Sequence, residues 1–171
     1  MKTTRTRLFY IVFGFTLGQL LIGATPVAAQ GDCQLVLDAG SKVLDTPAHL
    51  YFTMNMGGTT QTLESIYAAG AIYVKSGGKW GPSPMSMQES KELDQKNRQT
   101  NKTTCRYLKD EPVNGEMAAV YSMHSESTKS DAQVWISKAK GLLLREEADL
   151  PEPSKMHMSE RIEYGNIKPP M

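Results

Sequence analysis

Three methionine triplets have the spacing in this sequence that most suggests chemistry. Met54-Asn55-Met56, Met85-Ser86-Met87 and Met156-His157-Met158 each hold two thioethers two residues apart. Thioethers are soft ligands that suit Cu(I), and the imidazole of His157 would add a third donor. Methionine is also flexible and polarizable, and it lines surfaces that accept variable apolar partners. The spacing alone leaves two hypotheses open, a copper site and an apolar lining.

Strand geometry separates the donors of the last triplet. Alternate side chains of a β-strand face opposite sides, so Met156 and Met158 would share one face and His157 would point to the other. The triplet at residues 54–56 divides in the same way. The triplet at residues 85–87 lies near a predicted helix start, where positions i and i+2 do not share a face. We therefore favour an apolar face that carries Met156 and Met158. The alternative is an exported copper-binding or redox-stress protein that uses Met-x-Met pairs.

The other chemistry-bearing residues form no recognisable catalytic motif. The three histidines are scattered, and the sequence contains no HExxH, CxxC or GxSxG motif. A catalytic histidine needs a nucleophile and an orienting acid, which the spacing does not indicate. We predict a protein that is not an enzyme and that has neither a cofactor nor a resident metal.

Two acidic clusters occur near the C-terminus, Glu146-Glu147 and Glu160 with Glu163. On a strand, the two members of each cluster point to opposite faces, so neither cluster forms one shared site. Arg145 and Arg161 can pair with acids across neighbouring strands. We therefore predict ordinary ion pairs for these carboxylates.

Residues 1–29 have the three parts of a secretory signal peptide. Basic residues at the start precede a long apolar run, and Val27 and Ala29 are small residues at the −3 and −1 positions of a cleavage site. A retained membrane anchor is the alternative. We expect cleavage, export across the inner membrane into the periplasm, and a product that is not an integral membrane protein.

The remaining residues 30–171 are long enough for one domain with a real core. Three of the 19 basic residues precede position 30 and all 18 acidic residues follow it, which leaves a net charge of −2. This balance argues against a nucleic-acid partner. Cys33 and Cys105 are the two cysteines, and in an oxidising compartment we expect them to form a disulfide. A redox-active pair would favour closer CxxC spacing.

Hydrophobic periodicity divides the first half into a helix and strands. A period near four predicts a helix over residues 32–47, with Asp32 as N-cap and Pro47 as stop. From His49 the period becomes two, which predicts a strand with alternate apolar side chains on one face. Residues 61–76 continue as strand, with a bend or bulge near Ala69-Gly70, and a Gly-Gly pair at 77–78 predicts a hairpin. Regular strand is expected to stop at Trp80 because prolines follow it.

The second half predicts one helix and then consecutive strands. Pro84 suits a first helical turn, so a surface helix is expected over 84–98. Five strands joined by short turns follow, at 103–110, 116–126, 131–138, 142–150 and 157–167. Such a meander is antiparallel, and its inner face needs cover. The predicted fold class is α+β: a curved antiparallel sheet, an unclosed half-barrel, wrapped around the N-terminal helix and a second mid-chain helix.

Several stretches resemble the LolA-like superfamily of exported lipoprotein carriers and lipid-binding proteins. They are "DAQVWISKAKGLLLREEADL", "SERIEYGNIKPP" and, upstream, "IYVKSGGKW". The resemblance implies a half-barrel domain over residues 30–171, with helices in its concavity. It also implies a cavity that holds acyl chains or other apolar ligands.

These observations predict a periplasmic binding or carrier protein for a lipid, a lipoprotein acyl chain or another apolar molecule. The residues expected to line its cavity are Leu50, Phe52, Met54, Ile66, Val134, Ile136 and Met158. Strand register decides which of these side chains share a face.

Overall fold

The computed structural model describes residues 29–151 and 155–170, so most of the predicted signal peptide lies outside the described residues. Two helices and nine strands follow in chain order. They are α1 (Ala29–Val43), β1 (Ala48–Met56), β2 (Thr59–Ala68), β3 (Ala71–Ser76), β4 (Lys79–Pro82), α2 (Met87–Thr100), β5 (Thr103–Val113), β6 (Glu116–Ser125), β7 (Ser130–Ser137), β8 (Leu143–Leu150) and β9 (Met156–Tyr164).

All nine strands form one antiparallel sheet. The strand order is β4-β3-β2-β1-β9-β8-β7-β6-β5, so the last strand of the chain pairs with the first. The edge strands β4 and β5 do not pair with each other, and the sheet therefore stays unclosed. The predicted α+β half-barrel is confirmed.

Helix α1 lies on one face of the sheet, which we call the inner face. Val36, Ala39 and Val43 repeat at helical spacing, and all three are buried. They pack in one cluster with sheet residues that include Leu50 and Ile136. This cluster is the main core of the domain, and α1 covers the inner face over β5 to β8.

The predicted disulfide is confirmed. The sulfur atoms of Cys33 and Cys105 are 2.05 Å apart, and both residues are buried in the main core. The bond joins the first turns of α1 to the edge strand β5. It therefore fixes α1 at one end of the half-barrel.

Helix α2 packs on the side of α1 that faces away from the sheet, and it has no buried residues. Polar contacts of 2.5 Å join the two helices: Arg98 to Asp38, Asp94 to Ser41 and Lys91 to Asp45. At helical spacing, positions 38 and 41 lie opposite the buried positions 36, 39 and 43, and Asp45 follows the end of α1. Of the two helices, α1 therefore supplies the main cover of the inner face.

Both helix starts differ from the sequence predictions. α1 begins at Ala29, so Asp32 is not the N-cap and lies inside the first turn. α2 begins after Ser86, whose hydroxyl accepts a hydrogen bond from the Glu89 backbone N–H while the Glu89 carboxylate accepts one from the Ser86 N–H. This reciprocal capping box satisfies two free donors, and it sets the start later than Pro84 suggested.

Two predictions about the first strands were wrong. Ala69-Gly70 forms a hairpin turn between two strands instead of a bend within one, with φ values of 52° and 73°. Trp80 lies inside β4, which continues to Pro82. β4 is an edge strand, so a proline can occupy it with its missing N–H directed away from the sheet.

Candidate functional site

The inner face continues beyond the area that α1 covers. Along β1, the alternate residues Leu50, Phe52, Met54 and Met56 all point to this face. Leu50 is 2% exposed beneath the helix, whereas Met56, at the far end of the strand, is 54% exposed. An apolar strip therefore runs from the core out to solvent.

A small hollow, the inner hollow, opens on this strip. It has a volume of about 100 Å³ and is lined by Phe52, Glu146, Ala148, Met158 and Glu160. Strand pairing brings these residues together from β1, β9 and β8. Glu160 lies between Phe52 and Glu146 in one cross-strand row, and Met158 lies between Met54 and Ala148 in the next.

Two of the three methionine triplets meet on this face. Met54 is paired with Met158, and Met56 with Met156, across β1 and β9. The prediction that Met156 and Met158 share a face is confirmed. The side chain of His157 points to the opposite, outer face, where its Nδ1 lies 2.8 Å from a carboxylate oxygen of Asp149.

Glu146 and Glu160 are the polar exception on the otherwise apolar inner hollow. They are direct cross-strand partners on β8 and β9. Burial, together with the neighbouring Glu146 charge, raises the pKa of Glu160 to about 8. Burial also raises the pKa of Glu146. Within residues 29–151 and 155–170, neither carboxyl has a hydrogen-bond or ion-pair partner.

The neighbouring acids on the outer face behave differently. Glu147 is paired with Arg145, and Glu163 with Arg161, each pair lying two residues apart on one strand. The Arg161 guanidinium holds the pKa of Glu163 below its usual value. Glu147 and Glu163 are therefore ion-paired as predicted, but along their own strand instead of across neighbouring strands. The prediction of ion pairs is wrong for Glu146 and Glu160. The pairing of Glu146 with Glu160 can be recognised from the sequence only when β8 and β9 are aligned in their actual register.

The residues predicted to line a cavity lie in three different places. Leu50, Val134 and Ile136 are buried in the main core beneath α1. Ile66 lies on the outer face, because its partner in β1 is His49 instead of Leu50. Only Phe52, Met54 and Met158 lie on the open part of the inner face: two of them line the inner hollow, and Met54 is beside it.

A larger and more polar hollow of about 420 Å³ lies on the outer face. It contains a row of four groups on four neighbouring strands, in the order His124, Asp131, Asp149 and His157. Each histidine contacts its aspartate, at 2.7 Å and 2.8 Å. Within the described ranges, no three His, Cys, Asp or Glu side chains are arranged to hold a metal ion. These exposed side chains contact one another in His–Asp pairs, so we place the candidate site on the inner face instead.

A solved structure resembles this chain in fold. MucB, solved in complex with MucA(peri), aligns over 81% of this chain with 11% identity and a TM-score of 0.52. The chain spans 57% of the length of that MucB chain. This match and the unclosed sheet around α1 agree with the fold that the sequence resemblance implied. The chain has a fold like that of MucB.

Further matches are more distant in shape. LprF from Mycobacterium bovis aligns over 84% of this chain and 96% of its own, with 10% identity and a TM-score of 0.46. The LolA superfamily protein NE2245 from Nitrosomonas europaea aligns over 81% of this chain and 94% of its own, with 6% identity and a TM-score of 0.32. No family model and no curated protein sequence matches this chain. Among the described helices, neither is long and apolar enough to cross a membrane.

Proposed function

We propose that this protein is an exported, non-enzymatic carrier that holds the apolar part of a lipid or of a lipoprotein acyl chain on the inner face. The observation that carries the proposal is the strip from Phe52 to Met56, which stays apolar where α1 no longer covers it. An exposed, continuous apolar surface on a small domain is typical of a ligand or partner site. Each methylene group that this strip removes from water would contribute roughly 0.8 kcal/mol.

The size of the inner hollow suggests how such a chain would lie. About 100 Å³ is less than the roughly 300–1,000 Å³ of an ordinary small-molecule pocket. The hollow would therefore take one end of the ligand, and the rest would lie along Met54, Met56 and the exposed Leu63 of β2. Because a disulfide and a buried apolar stripe hold α1, we expect the ligand to enter from the open side without displacing that helix.

The proposed compartment is the periplasm. A disulfide buried in the main core forms and persists in an oxidising environment, which supports export. The signal-like residues 1–29 would be removed on the way. The domain that binds would then be residues 30–171.

The proposal is tested by lipid analysis and by one matched pair of variants. Mass spectrometry of gently purified protein should detect a co-purifying lipid, and a neutral fluorescent fatty alcohol should bind. Met158→Gln places an amide in the inner hollow and should weaken probe binding about tenfold, since it removes roughly 1.4 kcal/mol of apolar contact. His157→Gln, its neighbour on the outer face, should leave probe binding unchanged. Wild-type protein that carries no lipid and binds no probe would contradict the proposal.

The four paired methionines favour a second candidate function, Cu(I) binding. Met54, Met56, Met156 and Met158 place four thioethers on one face of two adjacent strands. Thioether sulfur is the ligand type that selects Cu(I). The site would differ from a Met-His-Met claw because His157 lies on the other face.

Competition with a chromophoric Cu(I) chelator tests this second candidate. The wild type should bind one Cu(I) per chain, and Met156→Leu with Met158→Leu should reduce the affinity at least tenfold because two of four donors are lost. Met85→Leu with Met87→Leu removes the triplet that lies outside the cluster and should change nothing. Leucine keeps the inner face apolar, so lipid binding should survive in both variants. Equal Cu(I) affinities in the three proteins would remove this candidate.

A further inference from the structure

The inner hollow contains two carboxyl groups but no positive charge from the described part of the chain. Glu146 and Glu160 face each other across β8 and β9, where directly opposed side chains have Cβ atoms about 4.5–5.5 Å apart. The other walls are Phe52, Ala148 and Met158. The hollow therefore combines an acidic pair with three apolar side chains.

The groups around the pair do not compensate it. The inner-face neighbours on β1 and β7 are the apolar Leu50, Phe52 and Val134. The side of α1 that packs on the sheet is also apolar. Besides Glu146, two inner-face tyrosines sense the Glu160 charge: burial and that charge raise the pKa values of Tyr67 and Tyr164. Both tyrosines are neutral at pH 7, so they supply no counter-charge.

The outer face of the same two strands shows what these acids do when a cation is available. Glu147 and Glu163 each bind an arginine of their own strand. Among the residues that the structure describes, the inner pair has no such partner. Two adjacent carboxylates in an apolar place cannot both ionise without a large cost. An external cation placed between them would remove that cost.

We propose that the inner hollow binds the cationic head of an amphiphile, a primary ammonium group that lies between Glu146 and Glu160 while its alkyl chain follows the methionine strip. This inference rests on the proposed carrier function and narrows its ligand class. A primary ammonium has three N–H donors, enough to bind both carboxylates. Phe52 lies beside Glu160 in the same row and can contact the cation with its ring face.

Proton release follows from the same geometry. Burial and the neighbouring charge raise the pKa of Glu160 to about 8. The free pair therefore holds at least one proton at pH 7. An ammonium group between the carboxyls favours their ionised forms. Binding of the cation should therefore release a proton from the protein, whereas binding of an uncharged amphiphile should not.

The test compares three ligands with the same chain: decylamine, decanol and decanoate. At pH 7 and below their micelle-forming concentrations, decylamine should bind the wild type about tenfold or more tightly than decanol, because it gains charge-assisted hydrogen bonds. Decanoate should bind most weakly. Calorimetry in two buffers with different ionisation heats should show proton release for decylamine alone.

Three variants show whether the carboxyl pair is responsible. Glu146→Gln with Glu160→Gln keeps the shape of the hollow and should lose the tighter binding of decylamine relative to decanol. Glu160→Gln alone should lose the proton release. Glu147→Gln is the matched control, since it removes an acid next in sequence that lies on the outer face. It should bind all three ligands like the wild type. Circular dichroism establishes that each variant is folded.

The outcomes separate the two proposals. If the wild type binds decanol and decylamine equally, or if the double Gln variant still binds decylamine more tightly, the cationic-head inference is overturned and the carrier proposal stands. If the wild type binds neither ligand, both proposals fail. If Glu147→Gln also abolishes the tighter binding of decylamine, the effect comes from general surface charge, and the inference is overturned.

Discussion

Glu160→Gln should make the protein more resistant to unfolding at pH 8 than the wild type, with a much smaller difference at pH 5. In the folded chain, burial and the Glu146 charge raise the pKa of Glu160 to about 8, from a usual value of 4.5. The unfolded chain therefore loses this proton several pH units earlier than the folded chain does. Between the two pKa values, the folded state holds more protons than the unfolded state. The wild type thus loses stability as pH rises, by up to about 1.4 kcal/mol per pH unit.

Glutamine cannot ionise, so the variant should escape this loss. The free energy of unfolding of the variant, relative to wild type, should grow by roughly 3 kcal/mol between pH 5 and pH 8. Urea denaturation at four pH values in that range measures the difference. Acids with lowered pKa values, such as Asp38, Glu64 and Glu163, titrate below this range and should not disturb the comparison.

Glu147→Gln is again the matched control, because it removes a carboxylate that is paired with Arg145 on the outer face. Its stability should run parallel to that of the wild type from pH 5 to pH 8. Stability curves for Glu160→Gln and wild type that stay parallel over the whole range would show that Glu160 ionises normally. The carboxyl pair would then have no special electrostatic role.

Replacing both Cys33 and Cys105 with alanine should lower the free energy of unfolding by about 4 kcal/mol. The two residues are 72 positions apart, so the bond closes a long loop and greatly restricts the unfolded chain. Both side chains are buried, and the bond joins α1 to β5 at the edge of the sheet. Removing the bond should also loosen the contact of α1 with the inner face.

Urea denaturation of the oxidised wild type and of the double alanine variant measures this loss. Reduced wild-type protein serves as the control, because it loses the same bond without losing the cysteine side chains. Hydrogen exchange of the α1 amides should rise in both forms lacking the bond. A loss of stability below about 1 kcal/mol would show that α1 is held by its apolar packing alone.

Local features of the sequence were sufficient for several parts of this structure. The period of two from His49 to Met56 placed Leu50, Phe52, Met54 and Met56 on one face, because alternation is a property of any strand whatever its partners. The same rule placed Met156 and Met158 together, opposite His157. Two cysteines in a chain with signal-like residues were enough to predict the disulfide. Short turns between consecutive strands indicated an antiparallel sheet.

The boundaries of helices and strands were harder to predict from the sequence, because helix capping and the position of a strand at the sheet edge decide them. Ser86 and Glu89 satisfy each other's backbone donors, and this pairing moved the start of α2 away from Pro84. Pro82 is accommodated in β4 because that strand lies at an edge of the sheet. An edge strand cannot be recognised until the order of all strands is known.

Only the tertiary structure decided which residues meet. Alternation tells which neighbours share a face within one strand, but pairing between distant strands sets the register, and a shift of one residue would move every side chain to the other face. That register put Ile66 on the outer face, brought Met54 to Met158 and placed Glu160 against Glu146. The position of α1 then decided that Leu50, Val134 and Ile136 became core while Phe52 and Met158 stayed open. The sequence by itself determined a half-barrel with an apolar inner face, whereas long-range pairing placed two carboxyls in the middle of it.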